Sequence, residues 1–262
     1  MISLYGALQF MVILPFYQIL TGSLNARGGT DYTVLMKDGR SVATDIRMQY
    51  LSYNPNGKNI CGIYEKDGKD LIGLAGLNLS ALDITPLFTL SDTRILYPAI
   101  SPDNQKIAFI AENKTTGEAV LRVIMREEFG WFPMPFVKLA ASSSPVCFCT
   151  PDTLMYTAQN GALTAALISK RPKTVVMQPK GIMPVYHAGA RLTAFVRGTE
   201  IVISGNISDE IKTDGVTALS FSNDGESLLY AQNGRLYRYS LSEKEQHLLL
   251  ETKQSIVFAA EL

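Results

Sequence analysis

The sequence is poor in the side chains that most catalytic sites and metal sites require. Its 262 residues include two histidines, three cysteines and one tryptophan. Neither His187 nor His247 has a serine, cysteine or acid nearby at the spacing of a catalytic triad or a metal site, so we expect both to be structural. The Gly-x-Ser-x-Gly motif of serine hydrolases and phosphate-binding glycine loops are also absent. The sequence therefore predicts no catalytic residue, no cofactor and no bound metal.

The three cysteines are too few, and too poorly placed, for a disulfide framework. Cys147 and Cys149 are two residues apart, which places them side by side on one face of a strand, in poor geometry for a disulfide. An odd number of cysteines without a partnering histidine does not match a zinc-site pattern either. We expect all three, including Cys61, to be small core residues.

Charge is also scarce. The chain has 24 basic and 24 acidic residues, so its formal net charge is zero, and only 18% of residues are charged. A surface without excess positive charge argues against sequence-independent binding of nucleic acid. The apolar fraction of 47% is enough for a sizeable core, and the length suits one large domain. We expect a monomer that binds no nucleic acid.

Residues 1–26 contain no charged residue, and residues 2–20 are almost all apolar. Three interpretations are open for this segment. It is a signal peptide cleaved near residues 21–23 or 24–26, a membrane anchor formed by residues 2–20, or a pair of buried propeller strands. The signal peptide is favoured and predicts a periplasmic or secreted protein. The anchor predicts attachment to a membrane, and the strands predict a cytoplasmic protein. The corresponding domain boundaries are 1–26 and 27–262.

The main positive feature is a repeated turn. Ser101-Pro102-Asp103-Asn104 is followed by the apolar segment Lys106–Ile110, and related turns begin at residues 54, 150, 188 and 222. Proline presets the turn, and aspartate or asparagine bonds to backbone N–H groups two residues later. Asn-Gly pairs at 160–161 and 233–234 predict tight hairpins. A repeat of about 35–50 residues built from four short strands is typical of a β-propeller blade.

The five turns indicate five blades, and the chain ends supply a sixth. Residues 255–262 match the first strand of a blade, and we expect them to pair with the strands near residues 32–44. Such pairing would remove exposed strand edges. The first blade is short and is expected to lack its outer strand. The fold prediction is one all-β propeller of six four-stranded blades, closed by pairing of N- and C-terminal strands, with five blades as the alternative.

The turn at Ser101, followed by Lys-Ile-Ala-Phe, resembles the TolB-like or Pro-Asp-type β-propeller repeat family. The resemblance covers roughly residues 30–262, with close copies at 101–109 and 222–230. It implies a six-bladed propeller that acts as a binding platform, or as a gate for an attached hydrolase.

The most unusual stretch is Glu127–Phe136, in which the single tryptophan lies among three phenylalanines and two prolines. The prolines are expected to interrupt an outer strand. Because exposed aromatic residues are typical of interface centres, we predict a partner-binding loop containing Phe129, Trp131, Phe132 and Phe136. The alternative is that Trp131 and Phe136 pack between neighbouring blades.

The favoured function is a non-catalytic scaffold that mediates protein–protein interaction in an exported or envelope-associated setting. The alternative is a propeller enzyme of the lactonase or lyase type, acting in the central channel. Channel enzymes of this kind usually gather carboxylates or histidines at the strand starts to hold a metal. The expected inner strands at 95–97, 145–147, 184–186 and 216–218 have none, so the scaffold is preferred.

Overall fold

A computed structural model describes residues 18–26, 29–36, 40–44, 46–54, 59–76 and 84–262. These residues form strands and turns, and none of the described residues is helical. The strands are β1 Gln18–Leu24, β2 Thr30–Met36, β3 Ser41–Ala43, β4 Gln49–Asn54, β5 Asn59–Lys66, β6 Lys69–Gly76, β7 Thr85–Thr89, β8 Thr93–Ile100, β9 Lys106–Asn113, β10 Ala119–Glu127, β11 Gly130–Pro133, β12 Leu139–Ala140, β13 Cys147–Thr150, β14 Thr153–Thr157, β15 Leu163–Leu167, β16 Lys173–Gln178, β17 Ile182–His187, β18 Leu192–Arg197, β19 Glu200–Gly205, β20 Asp209–Lys212, β21 Val216–Phe221, β22 Ser227–Gln232, β23 Arg235–Ser240, β24 Gln246–Glu251 and β25 Ile256–Glu261.

The strands form six antiparallel sheets, each of which is one blade of a propeller. Listed from the channel outwards, blade one is β25-β1-β2-β3, blade two β4 to β7, blade three β8 to β11, blade four β13 to β16, blade five β17 to β20 and blade six β21 to β24. The short β12 also pairs with β10, so two segments share the outer position of blade three. The predicted fold, with six four-stranded blades, is confirmed.

Blade one closes the ring by combining strands from both ends of the chain. β25 pairs antiparallel with β1, with Ala260 opposite Leu20, and Leu262 N–H donates to the Gln18 carbonyl at 2.8 Å. The predicted closure is confirmed, but the partner expected near residues 32–44 is wrong in detail. β1 lies between β25 and β2, and β3 supplies the outer strand that blade one was expected to lack.

Six buried clusters fill the spaces between neighbouring blades, one at each interface around the ring. β9 shows why the sequence produces them, because side chains on a strand point alternately to its two faces. Ala108 and Ile110 face blade four, while Ile107 and Phe109 face blade two, and all four are completely buried. A middle strand is therefore apolar on both faces, as expected for a sheet covered on both sides.

The repeated turn has the predicted geometry in its two close copies. Ser101 Oγ donates to Asp103 Oδ1 at 2.5 Å and accepts from Lys106 N–H at 2.9 Å. Ser222 repeats both bonds, with Asp224 Oδ1 at 2.6 Å and Ser227 N–H at 2.9 Å. Burial raises the pKa of each aspartate, but these hydrogen bonds outweigh it and leave both pKa values below their usual range. Each carboxylate thus stabilises a turn, as the sequence predicts.

Part of the sequence analysis concerns residues outside the described ranges, namely 1–17, residues 37–39 within the segment 32–44, and residues 55–58 of the turn that begins at residue 54. Of the apolar N-terminal segment, residues 18–24 form β1. Both candidate cleavage sites, at 21–23 and 24–26, lie in β1 or next to it. Cleavage at either site would remove the strand that pairs with β25. The described part of the chain has no helix long and apolar enough to span a membrane.

Candidate functional site: a rim hairpin and the central channel

The aromatic stretch forms a hairpin at the outer rim of blade three. β10 and β11 pair with Met125 opposite Phe132 and Arg126 opposite Trp131. We call residues 125–133 the rim hairpin. Its turn lies beside the 101–106 turn, since Arg126 N–H donates to the Gln105 carbonyl at 2.8 Å. The hairpin therefore projects at the face of the ring where the inner strands end, here called the exit face.

The four predicted partner-binding residues fall into two groups. Phe129 is 87% exposed at the hairpin tip, and Phe132 is 44% exposed on β11. Trp131 packs against the core between blades two and three, and Phe136 packs against the core between blades three and four. Phe129 and Phe132 are therefore both exposed to solvent on the rim hairpin. Trp131 and Phe136 are half-buried on opposite sides of the blade and hold the segment in place.

The prolines interrupt the outer strand of blade three as the sequence indicates. β11 ends at Pro133, β12 begins at Leu139, and both pair with β10. The connecting residues turn back, with Val137 N–H donating to the Met134 carbonyl at 3.1 Å, and Val137 is completely buried. The rim hairpin is thus fixed at its base by backbone pairing and by apolar packing.

The central channel widens into a cavity at each end. The cavity at the entry face, where the inner strands begin, has a volume of about 640 Å³. The cavity at the exit face has a volume of about 480 Å³. The expected inner-strand residues Tyr97, Cys147, Val185 and Val216 line the entry cavity. Its described lining consists of apolar, aromatic and uncharged polar side chains, which suits uncharged groups of a ligand.

Three large side chains at the entry cavity have a left-handed backbone conformation. Tyr50, Tyr97 and Met183 have φ values of 51°, 49° and 54°. Each lies at a bulge, where the pairing register of its inner strand shifts. The rings of Tyr50 and Tyr97 meet edge to face, with centroids 4.7 Å apart. Sequence reasoning missed these residues, and the proline that follows Tyr97 and Met183 was the only local signal.

The exit cavity contains the two neighbouring cysteines. Cys147 and Cys149 are half-buried in its lining, whereas Cys61 is completely buried in the core between blades two and three. The interaction between the two thiols, together with burial, raises the pKa of Cys147, and the same interaction lowers the pKa of Cys149 although burial opposes the change. The sequence analysis predicted that all three cysteines are core residues, and of the three only Cys61 is completely buried in the core.

His187 links two blades at the exit face. Its Nδ1 accepts from Ala190 N–H at 3.0 Å, and its Nε2 lies 3.0 Å from the Asn223 carbonyl of the next blade. These two hydrogen bonds assign the Nε2–H tautomer to His187 and engage both of its ring nitrogens. His247 lies on the outer strand β24. Among the described residues, no group of three histidines, cysteines or acids is arranged to hold a metal.

Comparison with known proteins supports the fold class. No protein-family model and no curated protein matches the sequence. TolB from Acinetobacter baumannii is similar with a TM-score of 0.71 and 14% identity, over 94% of this chain and 66% of the TolB chain. This chain thus spans slightly less than two thirds of TolB.

Two further solved structures share the architecture. A chain of the nidogen/laminin complex is similar with a TM-score of 0.70 and 11% identity, over 94% of this chain and 98% of that one. Prolyl oligopeptidase B from Galerina marginata gives a TM-score of 0.54 at 10% identity, over 90% of this chain and 42% of the enzyme. At such identities the likeness shows the fold alone, and the protein is a six-bladed β-propeller.

Proposed function

We propose that this propeller is a non-catalytic scaffold that binds a protein partner through the rim hairpin on its exit face. The observation that carries the proposal is Phe129, which is 87% exposed at the tip of a hairpin that is fixed at its base. Large aromatic side chains supply most of the binding energy in protein interfaces when they fill a pocket on the partner. Phe129 and Phe132 are the anchors, and Trp131 holds β11 against the core between blades two and three.

The rigidity of the hairpin favours binding. Trp131 packs on the blade two–blade three core, and β11 pairs with β10 along its length. A partner would therefore lose little free energy in ordering this surface. Arg126, Glu127 and Glu128 are exposed around the tip, and charges in such rim positions act mainly on the association rate.

An exported or envelope-associated setting belongs to the same proposal. It is supported by the uncharged N-terminal segment and by the resemblance to the TolB-like repeat family. The entry cavity, with its uncharged lining, suits apolar side chains of a bound protein segment better than an ionic substrate. In this proposal the channel adds to binding and carries out no chemistry.

A site-specific photo-crosslinker tests the rim hairpin in the native host. A benzophenone amino acid would replace Phe129, and the matched control would replace Leu248, which is 51% exposed on the outer strand of blade six. We expect one discrete adduct from position 129 and none from position 248. The double variant Phe129→Ala, Phe132→Ala should lose the partner without a change in melting temperature.

The proposal is wrong if the partner complex, isolated through an affinity tag, persists undiminished in the double variant. Loss of about 2–4 kcal/mol per buried anchor would leave little complex. Trp131 fluorescence provides a second measurement, because its ring lies beside the proposed contact and its emission should change when the partner binds.

A further inference from the structure

Three sulfur-containing side chains cluster on the face of blade four that packs against blade five, and two of them, Cys147 and Cys149, line the exit cavity. Cys147 and Cys149 are two residues apart on β13, and both pack against the same cluster at this face, although the pairing register of β13 shifts between Phe148 and Thr150. Met155 on β14 pairs directly with Cys147, which places it on the same face, and it is 2% exposed. All three belong to one cluster with Phe195 and Val202 of blade five.

Both thiols pack against the cluster that contains Met155, and both line the exit cavity. A disulfide would require the sulfurs to approach to about 2.05 Å and the Cβ atoms to about 3.8 Å. Alternate residues of an extended strand have Cα atoms about 6.6 Å apart, at the upper limit of disulfide geometry. A metal ion between two sulfurs needs no such approach, because metal–thiolate bonds of about 2.3 Å leave the sulfurs roughly 4 Å apart.

The donor set determines which metal would fit. Thiolates and a thioether are soft ligands, and they select Cu(I) over the harder divalent cations. Structural zinc sites use four nitrogen, sulfur or oxygen ligands in tetrahedral geometry. The only histidine in the lining of this cavity, His187, has both ring nitrogens engaged in hydrogen bonds. The surrounding Leu163, Phe195 and Val202 are apolar, and they exclude water from one side of the pair.

We propose that Cys147 and Cys149, with Met155 as third ligand, form a binding site for Cu(I) that opens into the exit cavity. Binding replaces the thiol protons with the metal ion and changes no oxidation state. The ion enters through the cavity of about 480 Å³. The copper site and the rim hairpin both lie at the exit face of the ring, but the copper site contains no residue of the rim hairpin.

Anaerobic competition with a chromophoric Cu(I) chelator, such as bicinchoninate, tests the site. The reduced full chain should remove one Cu(I) per molecule from the chelator and gain near-ultraviolet thiolate-to-copper absorption. The variant Cys147→Ser, Cys149→Ser should lose both signals. The matched control Cys61→Ser removes a thiol that is completely buried elsewhere, and it should retain both. Met155→Leu, a volume-conserving change, should weaken binding and keep the stoichiometry.

Two outcomes would overturn the proposal. The first is that the double serine variant takes as much Cu(I) from the chelator as the wild-type protein does. The second is that Cys61→Ser loses as much Cu(I) binding as the double serine variant. Zn(II) offered with a competing chelator should not be retained, and retention would contradict the soft donor set. Mass spectrometry of the wild-type protein gives a test that needs no variant. Cu(I) should protect Cys147 and Cys149 from alkylation, and unchanged alkylation would also refute the site.

Discussion

At the scale of single residues, Gly225 of blade six lies close to His187 and Ala190 of blade five at the exit face. Its φ is +73°, and an added Cβ would lie 2.5 Å from His187 Nδ1 and 2.8 Å from the Ala190 Cβ. His187 cannot move aside freely, because both of its ring nitrogens are hydrogen bonded. Glycine is therefore required here for two reasons, backbone conformation and space.

The variant Gly225→Ala should destabilise the protein more than Gly161→Ala. Gly161 has a similar φ of +83° but no atom within 4 Å of its added Cβ, so it reports the conformational cost alone. We expect roughly 1–2 kcal/mol for Gly161→Ala and about 1–3 kcal/mol more for Gly225→Ala because of overpacking. Urea unfolding midpoints measure both values. Equal losses would show that the contact with His187 has no energetic consequence.

At the scale of elements, β16 is the most apolar exposed edge among the described strands. Val175, Val176 and Met177 are 63%, 61% and 51% exposed on this outer strand of blade four. An edge with free backbone groups and apolar side chains is a template for pairing with another strand. Lys173 and Lys180 flank it and form no ion pair with a described residue. Their repulsion between copies opposes such pairing.

We expect weak self-association of the protein through β16 that increases with salt, because salt screens the flanking lysines. Val176→Lys should suppress it. The control Val42→Lys adds the same charge to β3, an outer strand where Val42 is 54% exposed, and should leave it unchanged. Light scattering over a concentration and salt series distinguishes the variants. Equal behaviour of the two variants would exclude β16 as the contact.

The sequence predicted elements well where the signal is local and poorly where it depends on the assembled ring. The Ser101 and Ser222 turns follow from side-chain bonds within five residues, so their pattern is visible in the sequence. The left-handed conformation of Tyr50 and Tyr97 arises at bulges in inner strands, which depend on how the blades meet at the channel. For the same reason, the contact between Gly225 and His187 joins two repeats that no local pattern connects.

The candidate site was predicted in part. The aromatic composition located the rim hairpin, but composition does not tell which aromatic faces solvent. The pairing of Arg126 with Trp131 decides this, because it directs Trp131 to the core and leaves Phe129 at the turn. The sequence analysis placed residues 145–147 on an inner strand, but it does not show that Cys147 and Cys149 face the exit cavity, and it therefore assigned them to the core.

At the scale of the whole molecule, Glu261 links the last strand to blade six. Its side chain is 5% exposed, and its carboxylate lies 2.6 Å from the Arg238 guanidinium and accepts from Asn223 N–H at 2.7 Å. Asn223 also contacts His187 of blade five. Three consecutive blades are therefore joined by polar contacts at the exit face, in addition to the cores between them.

Glu261→Ala should lower the stability of the whole ring by about 3 kcal/mol, because it removes a buried carboxylate that pairs with Arg238 and accepts from Asn223 N–H. For a protein of this size that corresponds to a fall in melting temperature of roughly 6–12 °C. Glu251→Ala is the control. The Glu251 side chain, which pairs with Arg235, is 57% exposed, and exposed ion pairs contribute about 0–1 kcal/mol. A single cooperative transition at lower temperature is expected, and separate loss of blade one would contradict it.

The pairing of β1 with β25 also has a consequence for biosynthesis. Between Leu24 and Ile256 lie all the other blades, so β1 emerges from the ribosome long before its partner. At about 5–20 residues per second, the interval is on the order of ten to fifty seconds. During that time the nascent chain exposes an apolar strand with an open edge. Newly made protein should therefore depend on chaperones, or on delayed compaction, until translation has passed residue 261.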